Sequence, residues 1–238
     1  MTLDRNALKA RVKGLKSVPT LPGIFEKVSA LVENPDTGAE DIAAVISSDQ
    51  ALSAKILRVV NSALHGFPGR ISSVTHALII LGFDVVQGLV LTTSVFDMMI
   101  GKGMQGLWAH SLGCAVTAGV VARKTQYPHP EEISIAALLH DIGKVIMKTE
   151  LPDEAAQIDA LVKEEDISVR EAEEKVLGLT HTTVGRWICE EWHLPYKLTE
   201  PIRYHHNPTL SKVAEVPTAI VHVANSLVKA NGFGSGGD

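Results

Sequence analysis

Histidine and aspartate dominate the chemistry available to this chain. Ten histidines are present, and eight of them fall after residue 100. His140 and Asp141 are adjacent, follow the apolar run Ile135-Ala136-Ala137-Leu138-Leu139 and precede Ile142-Gly143-Lys144. An imidazole and a carboxylate in such an apolar stretch need polar partners, because burying an unpaired charge is costly. His110, His181 and the pair His205-His206 lie on other elements and could converge on them. Imidazole mixed with carboxylate suits iron, manganese, zinc or nickel, and helical proteins build such sites from several helices. The pattern predicts one or two divalent ions held by His110, His140, Asp141, His181, His205 and His206. Lys144, four residues after His140 and three after Asp141, shares their helical face, where its ammonium could meet an anion bound at the metal. If the site is active, Lys144 and Asp141 are its catalytic residues, since a bridged pair of ions can activate water and clamp a phosphate. The structural alternative is a set of hydrogen-bonded core histidines.

Other residues of interest take plainer readings. His65 and His129 sit beside Gly or Pro in predicted turns, His76 has no evident role, and His193 ends a helix. His222, three residues before Asn225, could be a core residue or a support behind the site's ligands, and core is the reading preferred. Trp108, Trp187 and Trp192 read as packing residues. Arg58, Asn61 and Ser62 read as residues that fasten the turn before Gly66, through side-chain bonds to local backbone. No GxxxxGK[ST] loop, GxGxxG turn or GxSxG elbow occurs.

The elements that position these groups are helical throughout, for no stretch alternates with period two. Helices are predicted over residues 5–16, from the prolines at 19 and 22 to about 33, and from a Thr37–Glu40 capping box. More follow over 51–64, 74–81, 84–100, 104–125, 132–148, 153–165, 168–177, 180–192, 197–204 and 216–231. Ser168 and Glu171 form a second capping box. Gly101-Lys102-Gly103 divides an N-terminal helical subdomain, residues 1–101, from a helical metal-site subdomain, residues 102–231. Residues 232–238, Gly-Phe-Gly-Ser-Gly-Gly-Asp, read as a flexible tail or linker.

Composition narrows the function. With 45% apolar and 21% charged residues, the 238-residue chain can bury a core without disulfides. A net charge of −5 offers no footprint for nucleic acid. The apolar run 85–100 contains Gln87, Gly88, Thr92, Thr93, Ser94 and Asp97 and is expected to fall short of a membrane span. The first residues lack the apolar segment of a signal peptide. Cys114 and Cys189 have no paired spacing, which suits a reducing compartment, so a cytoplasmic protein is expected.

The chain resembles the HDOD family, a bacterial group of HD-related output domains, over about residues 16–229. The resemblance rests on Val18-Pro19-Thr20-Leu21-Pro22, Asn34-Pro35, Ile46-Ser47-Ser48-Asp49-Gln50-Ala51-Leu52, Lys55-Ile56-Leu57-Arg58-Val59-Val60-Asn61-Ser62-Ala63 and the stretch from Ile71-Ser72-Ser73 to Leu81-Gly82. It implies an all-α fold and a regulatory role in bacterial signalling. The second half is similar to HD phosphohydrolases, especially the HD-GYP branch, which hydrolyses cyclic di-GMP at a cluster of two or three metals. That likeness implies the same six ligands, with Lys144 as the phosphate contact. Three positions depart from it: Gly106 stands for an acidic residue, Asn225 for an aspartate, and Asn207-Pro208-Thr209-Leu210 for the Gly-Tyr-Pro loop.

The leading expectation is therefore an HD-type domain that binds metal and signals through protein contacts, with little or no hydrolysis. Signalling proteins are its expected partners, a nucleotide or phosphate its candidate ligand, and neither nucleic acid nor membrane is expected. The alternatives are a metal-dependent phosphohydrolase acting on a phosphodiester or nucleotide, and a metal-free interaction domain.

Overall fold

The computed structural model describes residue 10, residues 23–61 and residues 71–236. The helix expected over 5–16, the prolines at 19 and 22, and the turn at Gly66 lie outside the described residues. Among the described residues the fold is all-α. Its first half holds α1 (Gly23–Glu33), α2 (Ala39–Ser47), α3 (Gln50–Val60), α4 (Val74–Leu81) and α5 (Phe83–Gly101). The second half holds α6 (Gln105–Lys124), α7 (Pro130–Leu139), α8 (Ile142–Glu150), α9 (Pro152–Glu165), α10 (Val169–Leu177), α11 (His181–Glu191) and α12 (Tyr196–Tyr204). A short 3-10 turn (Pro208–Leu210) and α13 (Glu215–Ala230) complete it.

Local chemistry explains most boundaries. Pro130 and Pro152 open α7 and α9, where a missing N–H costs no helical bond. Ser168 and Glu171 form the expected capping box, with Glu171 N–H donating to Ser168 Oγ at 3.2 Å and Ser168 N–H to Glu171 Oε2 at 3.0 Å. The box expected at Thr37 and Glu40 is replaced one residue later. Gly38 is the N-cap, and its N–H donates to Asp41 Oδ2 at 2.8 Å. With Gly38 as N-cap, Asp41 is the third helical residue, the position from which a carboxylate folds back to the cap, whereas Glu40 is the second.

The single helix expected over 132–148 is interrupted at His140-Asp141. Adjacent residues of a continuous helix point about 100° apart. The break, with Asp141 at φ −98° and ψ 16°, lets both side chains reach one place.

α5 is the central strut. By length and composition its 19 residues would suffice to cross a membrane, which corrects the expectation that the run falls short, but 65% of that window is buried. Val85, Val86, Leu89, Val90 and Leu91 are buried, each such side chain contributing about 1.5–3 kcal/mol. The helix packs on α1, α3 and α4 to one side and on α6, α7 and α8 to the other. Gly88 permits the closest approach, since a Cβ there would lie 2.5 Å from Ile135 Cγ2. Phe25 of α1 meets Trp192 edge-on at 5.9 Å, and Gln87 donates to Ser29 Oγ at 2.9 Å. One apolar cluster runs from Phe25 to Val228, through both halves.

Asn61 acts as a clasp. Its Nδ2 donates to the Leu57 and Ile71 carbonyl oxygens, and its Oδ1 accepts from Ile71 N–H, all at 2.8 Å. Arg58 is exposed, and Ser62 lies outside the described residues. Asn61→Ala is expected to cost about 2 kcal/mol, because two backbone groups of Ile71 lose their partner. Urea unfolding followed by Trp108, Trp187 and Trp192 checks this. All three report from the second half, so an unchanged midpoint would show that the halves unfold independently.

Candidate metal centre

Four elements deliver the predicted residues to one buried place. α6 carries His110, the α7–α8 junction carries His140 and Asp141, α11 starts with His181, and α12 ends at His205 and His206. His110, His140, Asp141, His181 and His205 are each at most 1% exposed, and His206 is partly buried. The close crossing of α8 over α11 requires Gly143, where a Cβ would lie 1.9 Å from the His181 carbonyl oxygen. The turn after the His205-His206 pair is anchored by the buried Glu200, which accepts from Ser211 Oγ at 2.9 Å.

Asp141 faces two groups of imidazoles with its two oxygens. Oδ2 lies 3.3 Å from His140 Nε2, 3.9 Å from His110 Nε2 and 3.0 Å from Lys144 Nζ. Oδ1 lies 3.4 Å from His181 Nε2 and 3.6 Å from His205 Nε2. Burial pushes the Asp141 carboxyl up, but the neighbouring His140, Lys144 and His181 outweigh it and hold the carboxyl well below the usual range. Burial, reinforced by His140, lowers His110 to about 4. Burial, with His140 and His206, also places His205 well below its ordinary value.

The tautomers follow from the other ring nitrogen. His140 Nδ1 lies 2.7 Å from the Ala137 carbonyl oxygen, and His205 Nδ1 lies 3.1 Å from that of Ile202. His181 Nδ1 lies 2.7 Å from Glu173 Oε2, which also accepts from the His181 backbone N–H at 2.9 Å. These oxygens only accept, so each Nδ1 carries a proton, and in its neutral form each ring presents a lone pair at Nε2. His140 Nε2 and Asp141 Oδ1 are buried with no hydrogen-bond partner. The Nε2 atoms of His205 and His206 lie 3.4 and 3.1 Å from that of His181. A tetrahedral ion bonded to nitrogen at about 2.0–2.1 Å holds its donors about 3.3 Å apart. The donor set and these separations fit a divalent cation. His181, His205 and His206 form one possible set, His140, Asp141 and His205 another, and His110, Cys114 and His140 a third.

Some participants were not singled out in the sequence. Glu173, 1% exposed, reads as one more charge on a solvated helix until α10 is packed. Its only signal is its place eight residues before His181. For His222, weighed as core or as a support behind the ligands, the structure favours the second: it is partly buried, and its Nδ1 lies 2.6 Å from the His205 carbonyl oxygen, steadying the ligand-bearing turn.

Residues 232–236 run back across the site, although the sequence marks them as a flexible tail. Ser235 N–H donates to the Gly106 carbonyl oxygen at 3.0 Å, and Lys144 Nζ donates to the Gly236 carbonyl oxygen at 2.5 Å. At Gly234, φ is +73° and a Cβ would come within 2.3 Å of His110 N. Glycine here allows contact between two backbones, a role that composition alone hides.

Two outcomes are expected. Glu173→Gln should weaken divalent-ion binding about 10- to 100-fold by loosening His181, as read by competition with a chelating dye. In chelator-treated protein, unfolded histidines bind protons near pH 6.5, whereas folded His110 does so only near 4. Stability should therefore fall as pH falls from about 6.5 toward about 4, measured by urea unfolding at stepped pH.

Comparison with known proteins agrees with this architecture. A family model of the HDOD domain matches residues 18–208. A crystal structure of an HDOD domain protein of unknown function from Geobacter sulfurreducens is 28% identical with a TM-score of 0.74, covering 99% of this chain and 82% of that one. A protein from Shewanella amazonensis, provisionally named a phosphohydrolase, is 22% identical with a TM-score of 0.69, covering 93% and 80%. An uncharacterized protein of Treponema pallidum (strain Nichols) is 26% identical over 201 residues, 81% of this chain; the match spans 38% of that relative's length. With the signature covering most of its length and the helical fold shared, the chain belongs to the HDOD domain family.

Proposed function

We propose that this chain is a cytoplasmic bacterial signalling domain that binds one or two divalent ions and acts through contacts with other proteins, with little or no hydrolysis. The observation that carries this reading is a set of imidazole Nε2 atoms converging on the buried Asp141. His110, His140, Asp141, His181, His205 and His206 would hold the ions. A bound ion would supply charge stabilisation and an acidified water. Glu173 and the Ala137 and Ile202 carbonyl groups fix the rings that would bind it, and Lys144 holds the Asp141 carboxylate in place.

Two features argue against turnover. Gly106 and Asn225 provide no negative charge, so Asp141 is the one carboxylate among the six proposed ligands. The Gly236 carbonyl oxygen takes the Lys144 ammonium, the group best placed to hold a phosphate oxygen. Contact with proteins is supported by apolar side chains exposed along α6 and α13, including Val116, Val120, Val223 and Leu227, beside Phe233. Large exposed apolar patches commonly mark interaction surfaces.

The phosphohydrolase alternative has one observation in its favour. A cavity of about 140 Å³ adjoins the centre, and Lys144, Lys148 and Ser235 are among the residues that line it. Metal content and turnover of a nucleotide and cyclic dinucleotide panel should be measured on protein purified without a histidine tag. The expected result is bound divalent metal with turnover no greater than that of His140→Ala. Turnover above that control would favour the hydrolase, and absence of metal after incubation with iron, manganese, zinc and nickel would leave the metal-free reading.

A further inference from the structure

Cys114 lies one helical turn beyond His110 on α6, fully buried, with its Sγ 3.5 Å from His110 Nε2. Donor atoms of His110, Cys114 and His140 all lie within 4.8 Å of one another. His140 contributes Nε2, since its Nδ1 is occupied by the Ala137 carbonyl oxygen, and that Nε2 has no hydrogen-bond partner. A buried nitrogen lone pair thus points into the same small space as the sulfur. An ion at about 2.3 Å from sulfur and 2.0–2.1 Å from nitrogen, in tetrahedral geometry, holds those two donors about 3.5 Å apart. The observed separation agrees.

We propose that Cys114 is a metal ligand, and that with His110 and His140 it makes this half of the centre a thiolate site selective for soft ions such as zinc. The proposal rests on the metal-binding reading above and adds a ligand and a metal class to it. On binding, the Cys114 S–H bond breaks, the proton passes to water, and the freed electron pair on sulfur forms the bond to the ion. No oxidant or reductant is involved.

Charge supports this assignment. A divalent ion among neutral imidazoles needs anionic ligands, and Asp141 is shared with the opposite trio of His181, His205 and His206. A thiolate at 114 brings the negative charge that Gly106 and Asn225 do not. Sulfur also discriminates between the halves, because thiolate favours zinc while an imidazole and carboxylate set accepts iron, manganese or nickel. Cys189 provides an internal contrast. It is equally buried but belongs to none of the three possible ligand sets found among the described residues.

Cobalt(II) loading of the full chain tests this, because a cobalt–thiolate bond gives an intense near-ultraviolet charge-transfer band and imidazole or carboxylate ligands do not. The band is expected in the wild type, Cys189→Ser and His181→Ala, with loss of the band and of one ion equivalent in Cys114→Ser. Cobalt bound by the wild type without the band would overturn the Cys114 assignment and leave the metal reading intact. A band lost with Cys189→Ser but kept in Cys114→Ser would also overturn it. Failure of the wild type to take up any divalent ion would overturn both. Because the wild type, Cys189→Ser and His181→Ala decide the matter, the result stands even if Cys114→Ser folds poorly.

Discussion

A carboxylate that is 1% exposed keeps its charge only if its surroundings replace the water it has lost, and at Asp141 five side chains do so. Lys144 lies one turn along α8, His140 precedes it in the chain, His110 approaches from α6, and His181 and His205 approach from α11 and α12. Each partner constrains a different helix. The interruption between α7 and α8 lets consecutive residues face the same point, and the glycine crossing of α8 on α11 brings His181 close enough. The pocket is thus a junction of helices whose apolar faces are buried in a continuous core, with the polar junction specifying how they meet.

The parts of this arrangement that a sequence shows are those where residue type is itself the signal. Histidines at 110, 140, 181, 205 and 206 are chemically conspicuous, and the apolar periodicity of the surrounding helices places them on separate elements. The break at His140-Asp141 is hidden, because Leu138, Leu139, Ile142, Val145 and Ile146 keep a helix-like apolar pattern on both sides of it. Glu173 is hidden for the opposite reason. It stands in Arg170-Glu171-Ala172-Glu173-Glu174-Lys175, where any carboxylate reads as a solvated helix face, and only the tertiary packing of α10 on the start of α11 distinguishes it. Cys114 has no partner in sequence because its neighbours in space are a residue one turn back and another 26 positions on.

Glycine gives the clearest case of one residue type with different physical meanings. Gly88 and Gly143 bring helices together, and Gly234 and Gly236 bring a segment onto His110. A glycine-rich stretch lacks side chains to bury, so composition predicts mobility. The same lack of side chains lets its backbone approach a helix and an imidazole at distances that no Cβ would permit. What decides between the two outcomes is whether donors and acceptors are waiting, here the Gly106 carbonyl group and the Lys144 ammonium.

That coupling changes the meaning of the departure at residue 106. In the resemblance to the HD-GYP pattern, Gly106 stands where that branch carries an acidic side chain. In the folded chain it is also the place where the returning segment sits, since a Cβ at 106 would meet Ser235 Cβ at 3.2 Å and its carbonyl oxygen accepts from Ser235 N–H. A longer side chain there would compete with residues 235 and 236 for the same space. Glycine at 106 therefore carries no charge and also leaves room for the strap whose Gly236 carbonyl oxygen accepts from Lys144. Under the metal-binding reading proposed above, such a centre would hold a cation through its imidazoles while the Gly236 carbonyl oxygen competes with an anion for Lys144.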